Sequence, residues 1–539
     1  MNLLSGRITP VVLAALIAMT LPLTSRAAEQ VGVDSGILEG GPSRAPGVRA
    51  FLGIPYAAPP VGALRWREPQ PVAPWAGVRK ATTFGHRPMQ ASIYSDMVFL
   101  DPGPSEDCLT LNVWTPAASP SERLPVMVWI YGGGFEAGAT SEPRQDGSRL
   151  AAKGVVVVSM NYRLGIFGFF AHPELTAEEG GRPACNLGIM DQAEALRWVR
   201  RNIAAFGGDP ANVTIFGESA GSYSVSLQMA SPESRGLFQK AIWESGSLAG
   251  TARHPFGSNP RVLSLAESEK LGSDVAASLG VTTLAGLRAI PSDRMLEASR
   301  SKPYSADPKD PPLTVDGRTL TKTPYQIYTE GLQAPVPLLA GWNADENRVY
   351  SVFGSNRPTR ASFVAMVRSR YPGFADEILA HYPAATDEQA VRSAGDMACD
   401  EFIVASVWTG MRKHSARGYP VYAFRFDRHV PIAPGTVING QPATSDDTGA
   451  RHASEIPYVF RMPEATPEAP WHAEDRQLSE LMAMAWTNFA RTGNPNGDGV
   501  PQWPRYDEGS GFQTMHLDSK PFVAPDMDGG RIEVWDKAP

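Results

Sequence analysis

Continuous apolar runs of strand length alternate along this chain with stretches of helical periodicity. Leu124 to Tyr131 and Gly154 to Met160 carry few polar positions, the pattern of central strands covered on both faces. From Asp191 the period changes: Ala193, Leu196, Val199 and Ile203 recur at helical spacing, and Gly207-Gly208-Asp209-Pro210 stops the run. A further apolar run, Val213 to Phe216, leads through Gly217-Glu218-Ser219-Ala220-Gly221 into a second helical stretch starting near Gly221. This alternation predicts an α/β fold with a mostly parallel central sheet flanked by helices and interrupted by long insertions. Pro102 to Pro104 and Pro308 to Pro312 read as surface loops, and neither is long enough for a linker. Repeats and low-complexity tracts are missing from the sequence, and 539 residues suit either one catalytic domain with insertions or two domains.

The first residues bear on the compartment. Arg7 supplies a positive start, Val11 to Leu23 an apolar stretch, and Ser25-Arg26-Ala27 a small-x-small cleavage site. Residues 1–27 therefore read as a signal peptide, with 28–539 as the mature chain in the periplasm or outside the cell. The apolar stretch is shorter than the about 20 residues that span a bilayer, and no second stretch in the mature chain is long enough. A net charge of -7 with no basic block argues against nucleic acid as a partner. Three cysteines allow at most one internal disulfide, and the spacing of Cys108, Cys185 and Cys399 fits no zinc or redox motif. They read as buried small apolar residues.

Strand, sharp turn and helix around Ser219 form the sequence pattern of a nucleophile elbow. A serine hydroxyl attacks poorly until a base takes its proton, and flanking glycines let the backbone turn tightly enough to present it clear of the sheet. Gly-x-Ser-x-Gly recurs by chance, so the strand before it carries the inference. Acyl transfer also needs donors for a negative carbonyl oxygen. Gly132-Gly133-Gly134 follows the strand ending at Tyr131, about 85 residues before Ser219, and places side-chain-free N–H groups at a strand's carboxyl end. Gly133, Gly134 and Ala220 are the expected donors.

These residues fall within longer segments that resemble the type B carboxylesterases, the group of cholinesterases, mammalian carboxylesterases and bacterial p-nitrobenzyl-type esterases. The resemblance rests on Phe51-Leu52-Gly53-Ile54-Pro55-Tyr56, Glu106-Asp107-Cys108-Leu109-Thr110-Leu111-Asn112-Val113, Tyr131 to Phe135, Asn161-Tyr162-Arg163, Phe206 to Ser222 and Phe489-Ala490-Arg491-Thr492-Gly493. It implies an α/β hydrolase fold, one catalytic domain, and a triad in the order serine, acid, histidine. The acid falls at Glu346 in Gly341-Trp342-Asn343-Ala344-Asp345-Glu346, with Asp345 as its rival and Asn347 where a glycine is usual. The base falls at His452 in Gly449-Ala450-Arg451-His452-Ala453-Ser454-Glu455. Small-molecule esters are the implied substrates, cleaved through an acyl-enzyme without metal or organic cofactor. An amidase using the same triad and a non-catalytic adhesion or prohormone homologue are the alternatives. Glu218 either tunes the imidazolium or is a satisfied buried carboxylate.

Two departures bear on substrate and on the loop before the site. Met89 to Asp107 corresponds to the loop that carries a cation-binding tryptophan in cholinesterases, but it contains Tyr94 and Phe99 and no tryptophan, which favours neutral acyl or aryl esters. Pro88 stands where that loop's second cysteine is expected. Without the disulfide, the loop is expected to rest on packing by Met97, Val98, Phe99 and Leu100 and to be comparatively mobile.

Overall fold

The apolar runs assemble into one eleven-stranded sheet. In chain order its strands are β1 (Gly41–Pro42), β2 (Arg49–Pro55), β3 (Thr110–Thr115), β4 (Leu124–Ile130), β5 (Val156–Met160), β6 (Gly208–Glu218), β7 (Lys240–Glu244), β8 (Leu338–Asn343), β9 (Val421–Phe426), β10 (Gln513–Leu517) and β11 (Phe522–Pro525). The computed structural model describes residues 30–250, 261–304, 312–347, 353, 356–438, 441–465, 469–526 and 529–537. The proposed signal peptide lies outside them, as does the stretch from Pro308 to Pro311.

Across the sheet the order is β11-β10-β9-β8-β7-β6-β4-β5-β3-β2-β1. Neighbours from β10 to β5 are parallel, and both margins are antiparallel. The expected parallel centre is therefore present. β4 lies between β5 and β6: the chain passes from β4 out to β5 and then crosses back past β4 to β6, so the winding reverses beside it. Crevices at such reversals open at the strands' carboxyl ends, and both the glycine run after β4 and Ser219 after β6 lie there.

Burial explains why these segments are strands. All five residues of β5 and the last five of β4 are buried, which β-branched and aromatic side chains tolerate on both faces of a covered sheet. Trp129 packs edge-on against Phe460 and tilted against Phe216, binding β4 and β6 to the histidine-bearing segment.

Two helices frame the elbow. α1 (Leu187–Asn202) begins four residues before the position its periodicity suggests, because Leu187, Ile189 and Met190 are also buried. α2 (Ala220–Ala230) is buried along its entire length, so it shows no amphipathic stripe. Its polar side chains are satisfied internally: Ser222 donates to Gly246 O (2.5 Å), Ser224 to Ala220 O (2.9 Å), and Gln228 to Ile189 O (3.0 Å).

The loop from Met89 to Asp107 departs from expectation. Val98 and Leu100 are 58% and 52% exposed, so they do not pack it down. Polar contacts hold it instead. Gln90 exchanges two hydrogen bonds with Gly138 (2.8 and 2.9 Å). Asp101 accepts from Arg87 (2.6 Å) and Ser141 (2.5 Å), Arg144 reaches Asp96 (3.2 Å), and Glu106 takes both arms of Arg65 (2.5 and 2.7 Å). Arg87–Pro88 also pairs with Pro104–Ser105 as a two-residue parallel ladder across the loop's neck. Cys108, Cys185 and Cys399 are all buried free thiols.

Under this lobe, Arg163 and Asp191 form a fully enclosed bidentate ion pair, with Nη2 to Oδ1 at 2.7 Å and Nε to Oδ2 at 2.8 Å. Asp191 also accepts from the Arg163 backbone N–H (3.1 Å). Removing one member strands the other charge in the interior. Asp191→Ala should therefore cost about 3–5 kcal/mol of unfolding free energy, read as a fall in the urea midpoint. An unchanged midpoint would show that Arg163 finds water or another partner.

Candidate active site

Ser219 directly follows β6 and caps α2 in a conformation few L-residues adopt, φ 55° and ψ −122°. Its backbone is held on both sides: the Ser219 N–H donates to Glu244 O (3.0 Å), and Ser219 O accepts from the Tyr223 N–H (2.8 Å). Glycines make room for the turn. A Cβ on Gly217 would lie 2.5 Å from Ile130 O, and one on Gly221 would collide with the same oxygen. The hydroxyl therefore stands at the mouth of the β4–β6 crevice, half-buried.

Gly132 brings the glycine run against this elbow. A Cβ there would meet Glu218 O at 2.5 Å and Ser219 Cβ at 2.9 Å. Gly133 and Gly134 follow with φ of 111° and 66°. Among the described residues, no acceptor takes the N–H of Gly133, Gly134 or Ala220. Ala220 is the first residue of α2, where N–H groups have no intrahelical partner and the helix dipole favours negative charge. Three unpaired donors thus lie on the two segments that meet at Ser219.

The expected acid and base come from the turn that follows β8 and from the turn after residue 449. His452 Nδ1 is 2.6 Å from Glu346 Oε2, and the Glu346 side chain is fully buried. Its other oxygen accepts from the Asn343 N–H (2.7 Å). Asp345 points elsewhere: its carboxylate accepts from the Ala450 N–H (2.9 Å), while its own N–H donates to Ala450 O (3.0 Å). Asp345 thus ties the acid's turn to the histidine's loop, and Glu346 reaches the ring. The ring's other nitrogen, Nε2, lies 3.2 Å from Glu218 Oε1. Among the described residues the Ser219 hydroxyl is not hydrogen-bonded to the imidazole in this arrangement.

Charge around the imidazole is strongly negative. Burial opposes its protonation, but the carboxylates of Glu218 and Glu346 prevail and hold the His452 pKa above its ordinary value. Burial pushes the Glu218 carboxyl up, and the nearby imidazolium partly offsets this. The two groups face each other and titrate as a pair. Two carboxylates the sequence did not single out complete the cluster. Burial pushes Glu455 up to about 7, although Asn343 Nδ2 donates to it at 2.5 Å. Glu244, also raised by burial, accepts from Trp486 Nε1 (2.7 Å). A lone glutamate closing the buried strand Lys240–Glu244 was a visible signal for Glu244. Glu455 lies three residues past His452, a spacing that only folding makes meaningful.

A parallel sheet with a strained serine after one strand, a carboxylate after a later strand and a histidine beyond that defines an α/β hydrolase. Within that class the chain belongs to the carboxylesterase family, whose model matches residues 27–535. Para-nitrobenzyl esterase of Bacillus subtilis (strain 168) is 37% identical over 486 residues, spanning 88% of this chain and 92% of that protein. Cocaine esterase of Homo sapiens is 36% identical over 518 residues, 91% of this chain and 87% of that protein. Among solved structures, a PNB esterase superposes with a TM-score of 0.78 at 34% identity, covering 94% of this chain and 99% of that one. The Geobacillus stearothermophilus carboxylesterase superposes with a TM-score of 0.76 at 32% identity, covering 94% and 99%. The chain is a serine carboxylic ester hydrolase.

Glu218 favours the charged imidazole, and a general base must be neutral. Its neutralisation in Glu218→Gln should lower the His452 pKa, so the acid limb of the kcat/KM profile should move to lower pH by about one unit or more. An acid limb that stays in place would mean that Glu218 does not act electrostatically on the base.

Proposed function

We propose that residues 28–539 form one exported catalytic domain that hydrolyses neutral acyl or aryl esters with Ser219 as nucleophile, His452 as base and Glu346 as acid. The observation that carries this reading is the 2.6 Å contact between His452 Nδ1 and buried Glu346, at the same strand ends as the strained Ser219. Nδ1 is thereby committed to the acid, which leaves Nε2 to serve the hydroxyl. In the resting arrangement Nε2 faces Glu218, and substrate entry turns it to Ser219. Catalytic hydrogen bonds commonly tighten only when substrate is bound.

His452 takes the serine proton as Oγ attacks the ester carbonyl, and the oxyanion is bound by the N–H groups of Gly133, Gly134 and Ala220. The imidazolium returns its proton to the departing alcohol. Water, deprotonated by the same nitrogen, then attacks the acyl-enzyme and releases the acid. Glu346 holds the ring's tautomer and balances its transient charge. The side chains and one water supply every proton and bond in this cycle.

Support for a neutral substrate comes from the loop at residues 89–107. Phe99 already has the Arg87 guanidinium over its ring at 5.0 Å, so that face is taken by a cation of the protein itself. Among the described residues, no helix is long and apolar enough to cross a membrane, which fits release of the mature chain after its leader is removed.

Ser219→Ala should lower kcat by on the order of 10⁴ to 10⁶ without unfolding the protein. Glu346→Gln should cost around 10³ to 10⁴ and Asp345→Asn far less. Serine mutants keeping a tenth of the activity, or the reverse order of the two acid variants, would refute the assignment.

Acetylthiocholine should be a worse substrate than an uncharged thioacetate of similar size, judged by kcat/KM. A preference for the choline ester would contradict the neutral-substrate reading.

A further inference from the structure

One helical segment touches both the turn that carries Glu346 and the ring of His452. α3 (Asp387–Cys399) runs into a single π-helical turn, Asp400–Val404, before α-helix resumes at Ala405–Ser415. Such turns widen a helix and redirect the side chains flanking them. Here they flank the acid and the base.

Cys399 Sγ lies 2.9 Å from Asn347 O and 3.9 Å from Ala344 O, and it accepts from the Asn347 N–H at 3.4 Å. A single sulfur therefore reaches both ends of the turn Ala344–Asn347, in whose middle Glu346 sits. Three residues later on the same helix, the Phe402 ring meets the His452 ring at a centroid distance of 5.1 Å and an angle of 73°. That edge-to-face contact restricts the tilt of the imidazole. The helix is itself anchored on its far side. Asp400 accepts from Tyr382 Oη (2.6 Å) and pairs with Arg531 Nε (2.8 Å), and Glu401 accepts from Tyr371 Oη (2.6 Å).

We propose that Cys399 and Phe402 are positioning residues for ester hydrolysis, the first setting the turn that presents Glu346 and the second setting the plane of His452. This rests on the roles given to Glu346 and His452 above. A thiol suits the task because burial, reinforced by the neighbouring carboxylates, pushes its pKa up and keeps it an S–H donor. Misplacing a catalytic group by a fraction of an ångström is enough to cost rate, because the reaction depends on aligned near-attack geometry.

The test compares Cys399→Val, which keeps an apolar side chain without the hydrogen bonds, with Cys399→Ser, which keeps a donor. Full-length wild-type and variant enzymes are titrated to completion with a fluorophosphonate, so that kcat is expressed per labelled serine. Cys399→Val should lower kcat about tenfold with KM within about twofold, and Cys399→Ser should recover to within about threefold of wild type. In Cys399→Val the acid limb of kcat/KM should also move to lower pH, because a loosened Glu346 no longer supports the charged imidazole. Unchanged kcat per site and an unchanged acid limb, with only thermal stability reduced, would overturn the proposal. If Cys399→Val does not fold, Phe402→Leu, at a half-buried position, decides in the same way: kcat and the acid limb shift, or the proposal falls. Failure of the underlying triad would look different, since the wild-type fluorophosphonate adduct would then map away from Ser219, or Glu346→Gln and His452→Ala would keep near-wild-type kcat per labelled serine.

Discussion

Close approach of two backbones is the constraint on which this site depends. The turn at Ser219 is wedged between the end of β4 and the start of α2, and glycines at 132, 217, 221 and 246 permit the contact. A Cβ on Gly246 would lie 2.5 Å from Ser219 O, as one on Gly132 would from Glu218 O. The register that pairs Gly217 with Ile130 brings these surfaces together. Positive φ at a serine costs on the order of 1–3 kcal/mol, and the enclosing sheet and the buried α2 over-determine it. The same wedge brings the glycine run and the start of α2 together at Ser219. The strained serine and the proposed oxyanion donors thus share one packing event rather than two.

A second constraint is electrostatic. Glu218, Glu346 and Glu455 are buried around one imidazole, and Glu244 is buried beside Glu218 and Glu455, a concentration of carboxyls that a low-dielectric interior penalises. Burial raises Glu218, Glu244 and Glu455 toward the neutral acid. Glu346 holds the direct bond to Nδ1 while receiving the Asn343 N–H. Asn343 mediates this arrangement, because its backbone serves Glu346 and its side chain serves Glu455. The cluster therefore distinguishes its members by hydrogen bonding: Glu346 alone bonds Nδ1 of the imidazole, while Glu455 is bonded by the Asn343 side chain and Glu244 by Trp486.

The sheet centre was legible because β4 and β5 are continuous apolar runs, and α1 because its inner face repeats at helical spacing. α2 was legible only as the sequel to the elbow, since a helix buried all round has no periodicity to read. Ser219, Glu346 and His452 were proposed from segments that match the family, with Asp345 as the acid's rival, and the fold adds that Glu346 is the carboxylate of this pair that faces the ring. Cys399 and Phe402 left no trace in the sequence. Their relation to residues 344–347 and 452 exists only after distant segments pack together, and a buried thiol resembles any small apolar residue. The loop at 89–107 misled for a related reason: its Met-Val-Phe-Leu run suggested packing, whereas two of those side chains are exposed.

That loop also shows how a missing crosslink changes what holds a site's roof. A disulfide acts largely by restricting the unfolded chain, and for a loop of this size it contributes roughly 3 kcal/mol whatever the loop's folded contacts. The clasp found here, from Gln90–Gly138, Asp101–Ser141, Arg65–Glu106 and Arg144–Asp96, acts only in the folded state. Gly138, Ser141 and Arg144 lie on the segment just after the glycine run, so three of these four contacts tie the loop to that segment. Met97 expresses this: its Cε would be 3.2 Å from a Cβ on Gly133. Arg144, enclosed with Glu142 (2.5 Å), also adds positive charge that opposes the burial of Glu218. Loop placement and the proton balance at His452 therefore share one guanidinium, a link that a disulfide at the neck would not supply.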